Sequence, residues 1–281
     1  KEFNDKIFTR INNLIHDYNL INEHELIAVA LSGGKDSVLT LHALKNYQNY
    51  LDFDLVAVSV DEGIEGYRQH GIDAAIDNAE KLDVKLVQKS FKIEEGFALD
   101  DIYSGFKSAC IPCGVFRRNI LNKTAYDLGA DKIATGHNLD DETQSIVMNY
   151  LEGNVNNMVR IGYKTLSQDK RFTQKIKPLR KIPEKEIGLY VLESGFEVHF
   201  DGCPYAHESF RMEIGDFIRE TTLKHPTIMY SILNGFEKIK PAIKKEYMAN
   251  HTGKPNGTCK KCGEPASQDT VSYTHLTLPT N

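Results

Sequence analysis

Apolar residues recur along this chain with two periods in turn. Leu26-Ile27-Ala28-Val29-Ala30-Leu31 is a continuous apolar run of strand length, and behind it comes a helix whose apolar positions include Val38, Leu39, Leu41 and Leu44. The alternation continues: Asp54–Val60 reads as a strand, Asp73–Leu82 as a helix, Lys85–Phe91 as a strand. A long helix is expected from near Cys113 to a C-capping Gly129, then a strand over Lys132–Thr135 and a helix reaching about Leu151. Glu184–Leu192 reads as helical, Glu197–Phe200 as extended, and Glu208–Tyr247 as helical throughout. No internal repeat is found. Strands and helices in alternation predict an α/β protein with a doubly wound, mostly parallel sheet. The expected division is an N-terminal helix over 1–22, the sheet domain over 23–205 and a helical region over 206–250. A cysteine knuckle over 251–269 and a patternless, foreign tail over 270–281 complete it.

Composition changes this picture little. The 281 residues are 41% apolar and 26% charged, enough for one large domain with a small appendage. No apolar run approaches the roughly 20 residues that span a bilayer, and no signal peptide is visible, so no membrane is expected and the location is cytoplasmic. Lys1 in place of methionine points to a fragment at the amino end. The net charge of −5 argues against a nucleic-acid-coated surface, but Arg160–Lys185 alone carries +7 and leaves −12 for the rest. Such a segment suits either a local polyanion site or a solvated face.

Between the first strand and helix lies Ser32-Gly33-Gly34-Lys35-Asp36-Ser37. Two glycines allow a tight turn with successive N–H groups aimed at an anion, and the helix start adds its own donors and positive dipole end. Ser32 and Ser37 add hydroxyls. A bare carboxylate repels phosphate, so Asp36 points to a bound Mg²⁺. The bland alternative is a serine-capped strand–turn–helix corner.

Five cysteines remain: Cys110, Cys113, Cys203, Cys259 and Cys262. Cys110-Ile111-Pro112-Cys113 sets two sulfurs at chelating spacing, the second placed to open a helix whose dipole lowers thiol pKa. With Cys203 they could ligate an iron–sulfur cluster, or form a redox pair beside a free thiol. Cys259 and Cys262 match half of a zinc knuckle, and nothing after Asp269 completes a tetrahedral set.

The Gly-rich turn resembles the PP-loop of the ATP pyrophosphatases, an adenine nucleotide α-hydrolase-like fold that splits ATP to AMP and pyrophosphate while activating an oxygen. The runs Asp61-Glu62-Gly63-Ile64-Glu65-Gly66-Tyr67-Arg68, Cys110–Arg118 and Thr135–Asp141 narrow the resemblance to tRNA 2-thiouridine synthetases. They are most similar to the archaeal and eukaryotic cytosolic enzymes acting on wobble uridine; Tyr67-Arg68 and Arg117-Arg118 favour that branch over the T-loop branch. The resemblance implies that Ser32, Gly33, Gly34, Lys35, Asp36 and Ser37 hold the ATP phosphates. It implies that Ala30 and Val60 meet the adenosine through backbone groups, that Gly136 allows close approach, and that Arg117 faces ATP. Asp141 is assigned to the reaction, Asp140 to helix capping and His137 to structure. Cys110, Cys113 and Cys203 are implied to carry a [4Fe–4S] cluster with an open iron. The implied reaction adenylates uridine O2 and replaces it with sulfur from sulfide or a thiocarboxylated carrier protein. Partners are then tRNA and the sulfur donor, with a homodimer through Glu208–Tyr247.

Relatives of this kind carry an amino-terminal zinc knuckle and a fuller carboxyl-terminal one, which this chain lacks or shows in half. Basic residues in Lys164–Lys181 could supply part of the missing RNA contact. Two other classes stay open at this point. An adenylating synthetase for a small molecule or another tRNA base explains the loop but not three dispersed cysteines. A non-enzymatic, metal-stabilised RNA-binding protein explains the cysteines but not Asp36 or Asp141.

Overall fold

The computed structural model describes residues 2–165, 171–206 and 210–250, with the short strands Gly257–Thr258 and Pro265–Ala266. Cys259, Cys262 and the tail lie outside the described residues. In chain order the elements are α1 (Glu2–Asp17), β1 (Leu26–Ala30), α2 (Lys35–Tyr47), β2 (Asp54–Asp61), α3 (Arg68–Lys81) and β3 (Lys85–Ser90). The short α4 (Phe91–Glu94) and α5 (Leu99–Ile102) precede α6 (Cys110–Asp127), β4 (Lys132–Ala134), α7 (Leu139–Leu151) and α8 (Val155–Met158). Then follow β5 (Gln174–Ile176), α9 (Glu184–Ser194), α10 (Phe210–Lys224) and α11 (Ile228–Asn250).

β1 to β5 form one parallel sheet in the order β3-β2-β1-β4-β5. The chain winds outward from β1 to β3, returns through α6 and resumes at β4, so the strand order reverses between β1 and β4. Open α/β sheets bind ligands at such a reversal, beyond the carboxyl ends of the strands. Successive strand residues face opposite sides, and the two sides have separate cores. Ile27, Val29, Ala134 and Ile176 join α1, α2 and α9 in one layer; Ala28, Val56, Val58 and Ile133 lie under α6 in the other.

The expected strands and helices are found, with four differences; the first is that Glu197–Phe200 forms no strand beyond an isolated bridge from His199 to Gly34. α6 begins at Cys110 rather than near Cys113, because Pro112 sits in the first turn, where its missing N–H breaks no helical bond. The helical region is two helices, interrupted at His225-Pro226-Thr227, since a proline disfavours helical backbone in the residue before it. β5 lies inside the basic stretch, too short and too charged to show a period.

A second core joins α7, α8, α10 and α11 through Leu139, Ile146, Ile161, Ile214, Leu233 and Phe236. Arg180 locks it to the sheet. Its guanidinium is fully buried, 2.6 Å from Glu142 Oε2 and 2.6 Å from Glu237 Oε1, and stacks on Tyr163 at 4.1 Å. Lys177 also pairs with Glu142. Thus two cations of the basic stretch serve the interior rather than a polyanion surface.

Arg180→Ala leaves Glu142 with less compensation in the interior and is expected to cost roughly 3–5 kcal/mol in denaturant unfolding. Burial raises the Glu142 carboxyl, but Lys177 and Arg180 outweigh it and hold the pKa below the ordinary 4.5. The pair's contribution is therefore full above that value and fades as pH falls below it, so the stability gap between wild type and Glu142→Gln should narrow on acidification.

Candidate active site

The Gly-rich turn leaves β1 and is shaped by close packing against α3. Gly33 has φ +84°, and a Cβ there would fall 1.8 Å from the Gly71 carbonyl oxygen, so no side chain fits. Ser37 Oγ donates to the Gly34 carbonyl at 2.9 Å and accepts from Ser32 N at 3.1 Å. The turn is thus closed on itself, with α2 starting at Lys35 behind it. Lys35 Nζ lies 3.0 Å from Asp36 Oδ2 and 2.7 Å from Glu184 Oε1.

Buried Arg68, the first residue of α3, joins this turn to the end of β2. Its Nη1 donates to Ser32 O at 2.6 Å, Nη2 to Ser59 Oγ at 3.0 Å and Nε to Val60 O at 3.0 Å. Glu62 Oε2 balances it at 2.8 Å, and Glu62 Oε1 lies 3.4 Å from Arg117 Nη1 on α6. Ala30 ends β1 and Val60 stands one residue before the end of neighbouring β2, its carbonyl already accepting one bond.

The turn after β4 meets the Gly-rich turn from the other flank. A Cβ on Gly136 would come within 2.8 Å of the Asp36 backbone carbon and 2.9 Å of Ser37 N. Asn138 caps α7, accepting from Asp141 N at 3.0 Å, while its own N–H donates to Asp141 Oδ2 at 3.2 Å. The Asn138 amide also donates to Asp36 Oδ1 at 2.9 Å. This corrects the capping assignment: Asp141 closes the α7 box, whereas Asp140 accepts from Glu184 N at 2.7 Å at the start of α9. The other Asp141 oxygen faces Arg211 of α10 at 3.7 Å. Sequence reasoning gave Asn138 no role, although the Asn-x-x-Asp spacing carried the signal; Glu62 stood in a quoted motif without a role, and Arg211 had no local signal.

Asp141 and Arg117 both keep part of their side chains open to solvent, 36% and 49% exposed. Burial pushes the Asp36 and Asp141 carboxyls above their ordinary range. His137 stands beside them, its ring nitrogen 2.8 Å from Thr135 Oγ1; desolvation by the surrounding chain and the nearby Lys177 lower its pKa to about 4.

The three described cysteines are free thiols. Cys110 and Cys113 sit on the first turn of α6. Cys203 follows a segment pinned to the Gly-rich turn, where His199 N donates to Gly33 O at 2.9 Å and Asn78 of α3 donates to Glu197 O at 2.7 Å. Cys113 and Cys203 pack against an apolar cluster with Val60, Phe91 and Phe116. Burial, opposed by Arg117, raises the Cys113 thiol to about 11. Among the described residues no three His, Cys, Asp or Glu side chains converge on a single ion. Cys110 and Cys203 both lie near enough to Cys113 for their charge to raise its thiol, and three neighbouring thiols suit a thiolate-held iron–sulfur group.

A parallel sheet with this turn at its reversal point defines a PP-loop protein, and the PP-loop domain family matches residues 3–214. The tRNA 2-thiolation protein NcsA of Haloferax volcanii is 37% identical over 86% of this chain and 78% of its own length. The tRNA-5-methyluridine(54) 2-sulfurtransferase of Pyrococcus horikoshii is 30% identical over 97% and 85%. Among solved structures, the U34-tRNA thiolase NcsA from Methanococcus maripaludis, with its [4Fe–4S] cluster, superposes with a TM-score of 0.81 at 34% identity. That match covers 99% of this chain and 89% of the other. The chain belongs to the PP-loop family of tRNA 2-thiolation proteins.

Gly136→Ala forces the two turns apart at a backbone-to-backbone contact. It should lower stability by about 1–3 kcal/mol, measured by chemical denaturation.

Proposed function

We propose that this chain is an ATP-dependent tRNA sulfurtransferase acting on the C2 oxygen of uridine, at wobble position 34. The observation that carries the reading is the adjacency of a PP-loop and three free cysteines, joined through His199 N and Gly33 O. The thiolase with a TM-score of 0.81 supports position 34.

Ser32, Gly33, Gly34, Lys35 and Ser37 hold the ATP phosphates, with Ala30 and Val60 beside the adenosine. Asp36 and Asp141 would hold Mg²⁺ against the phosphates, where the cation would offset the burial that raises both carboxyls. Uridine O2 attacks the α-phosphorus and pyrophosphate leaves, which turns a poor leaving oxygen into a phosphate ester. Arg117 steadies the negative charge that grows on the phosphorus oxygens. Sulfur then adds at C2 and AMP departs. Cys110, Cys113 and Cys203 would hold a [4Fe–4S] cluster, which would supply an iron site able to bind that sulfur. The sulfur comes as sulfide or from a thiocarboxylated carrier.

Among the described residues no helix is long and apolar enough to cross a membrane, and the reading places the protein in the cytoplasm. Cys259 and Cys262 are read as half of a zinc site. Exposed Phe217 and Leu223 of α10 support a homodimer through the helical region.

After anaerobic reconstitution with iron and sulfide, the wild type should thiolate unmodified tRNA and release AMP. Asp141→Asn should slow turnover by about 100-fold or more with the cluster absorbance intact. Cys203→Ala should lose both the absorbance and thiolation. Normal thiolation by Cys203→Ala without a cluster overturns the cysteine assignment.

A further inference from the structure

On the α6-facing side of the sheet, one register row runs through Val56, Ala28 and Ile133 and ends on Lys175 of the edge strand. The first three are buried in the apolar layer under α6. A lysine closing that row lays its stem along the layer and carries its ammonium toward the helix above. Asn122 of α6 shows which part of the helix lies there. It donates to Arg171 O at 2.7 Å and accepts from Thr173 N at 3.0 Å. The helix returns antiparallel to the strands between β3 and β4. One turn back from Asn122 to Arg118 is about 6 Å along the helix. Going forward from Thr173 to Lys175 is about 6.6 Å along the strand. Arg118 is therefore carried over Lys175.

The charges agree with that placement. Burial and the cations Arg118, Lys177 and Arg117 lower Lys175 to about 8, and burial with Arg117 lowers Arg118 in turn. Arg117 has Glu62 and Lys177 has Glu142. Among the described residues, Arg118 and Lys175 pair with no carboxylate. Cations gathered against their own repulsion, with no acid to balance them, form a site for an anion.

We propose that Arg118 and Lys175 form a phosphate site, distinct from the PP-loop, that grips a phosphodiester of the RNA strand beside the target nucleotide. The inference rests on the thiolation reading above. ATP is the other phosphate source, and the sheet order places it elsewhere. Its phosphates lie on the turn after β1 and its adenosine toward β2, whereas Lys175 stands beyond β4, about 10 Å from β1 on the opposite flank. An unpaired RNA strand entering the cleft past β5 brings phosphates to that flank.

The test measures binding of unmodified tRNA by fluorescence anisotropy across a series of KCl concentrations, with ATP affinity measured separately by calorimetry. Lys175→Gln and Arg118→Gln should each weaken tRNA binding, and flatten the plot of log affinity against log salt by about 0.7. Lys175→Arg should keep the wild-type slope, and ATP affinity should stay unchanged in all three variants. A wild-type slope in both glutamine variants overturns the site, as does a loss of ATP affinity with the tRNA slope intact. A wild type that neither binds nor thiolates tRNA overturns the functional reading itself, which distinguishes that failure from failure of the two-residue site alone.

Discussion

The buried guanidinium of Arg68 is the point on which the cleft depends. It ties Ser32 O, Ser59 Oγ and Val60 O into one planar fork, so the ends of β1 and β2 are held at a set separation. A charge in that position is tolerable only because Glu62 lies against it, since removal of one partner from a buried pair leaves a charge with no water to solvate it. Glu62 in turn reaches Arg117, the helix residue one turn beyond Cys113. One buried ion pair therefore holds the phosphate loop, the end of the adjacent strand and the helix that carries two of the thiols in mutual register.

The opposite flank turns on a neutral side chain backed by interior charge. Asn138 uses its carbonyl to cap α7 and its amide to hold Asp36, so the helix start and the phosphate loop share one side chain. α7 continues into the second core, where Leu139 and Ile146 meet α10 and α11. Glu142, one residue after Asp141, is buried against Arg180 and Lys177. The orientation of Asp141 in the cleft is thus set from behind by interior charge and from the side by Arg211 of α10. The carboxyl-terminal helices are part of the mechanical frame of the site.

The alternating strands and helices, the Gly-rich turn and the cysteine pair were legible from the sequence because each depends on residues close together along the chain. A strand needs a short apolar run, a helix an apolar stripe, and a phosphate turn its glycines in order. The capping of α7 is equally local, carried by the Asn-x-x-Asp spacing of Asn138 and Asp141 and not by Asp140. The sequence alone thus determined β1 to β4, the long helices between them, the Gly-rich turn and the positions of the thiols. Tertiary structure alone decided the strand order, the place of β5 at the edge, and the burial of Arg180 in a segment whose composition suggested a solvated or RNA-facing surface. It also brought Arg68 to Ser32, His199 to Gly33 and Arg118 over Lys175, pairs separated by long stretches of chain. Charge and hydrogen bonding act through space, so whether a basic residue serves core, nucleotide or RNA is settled only when the sheet closes around it.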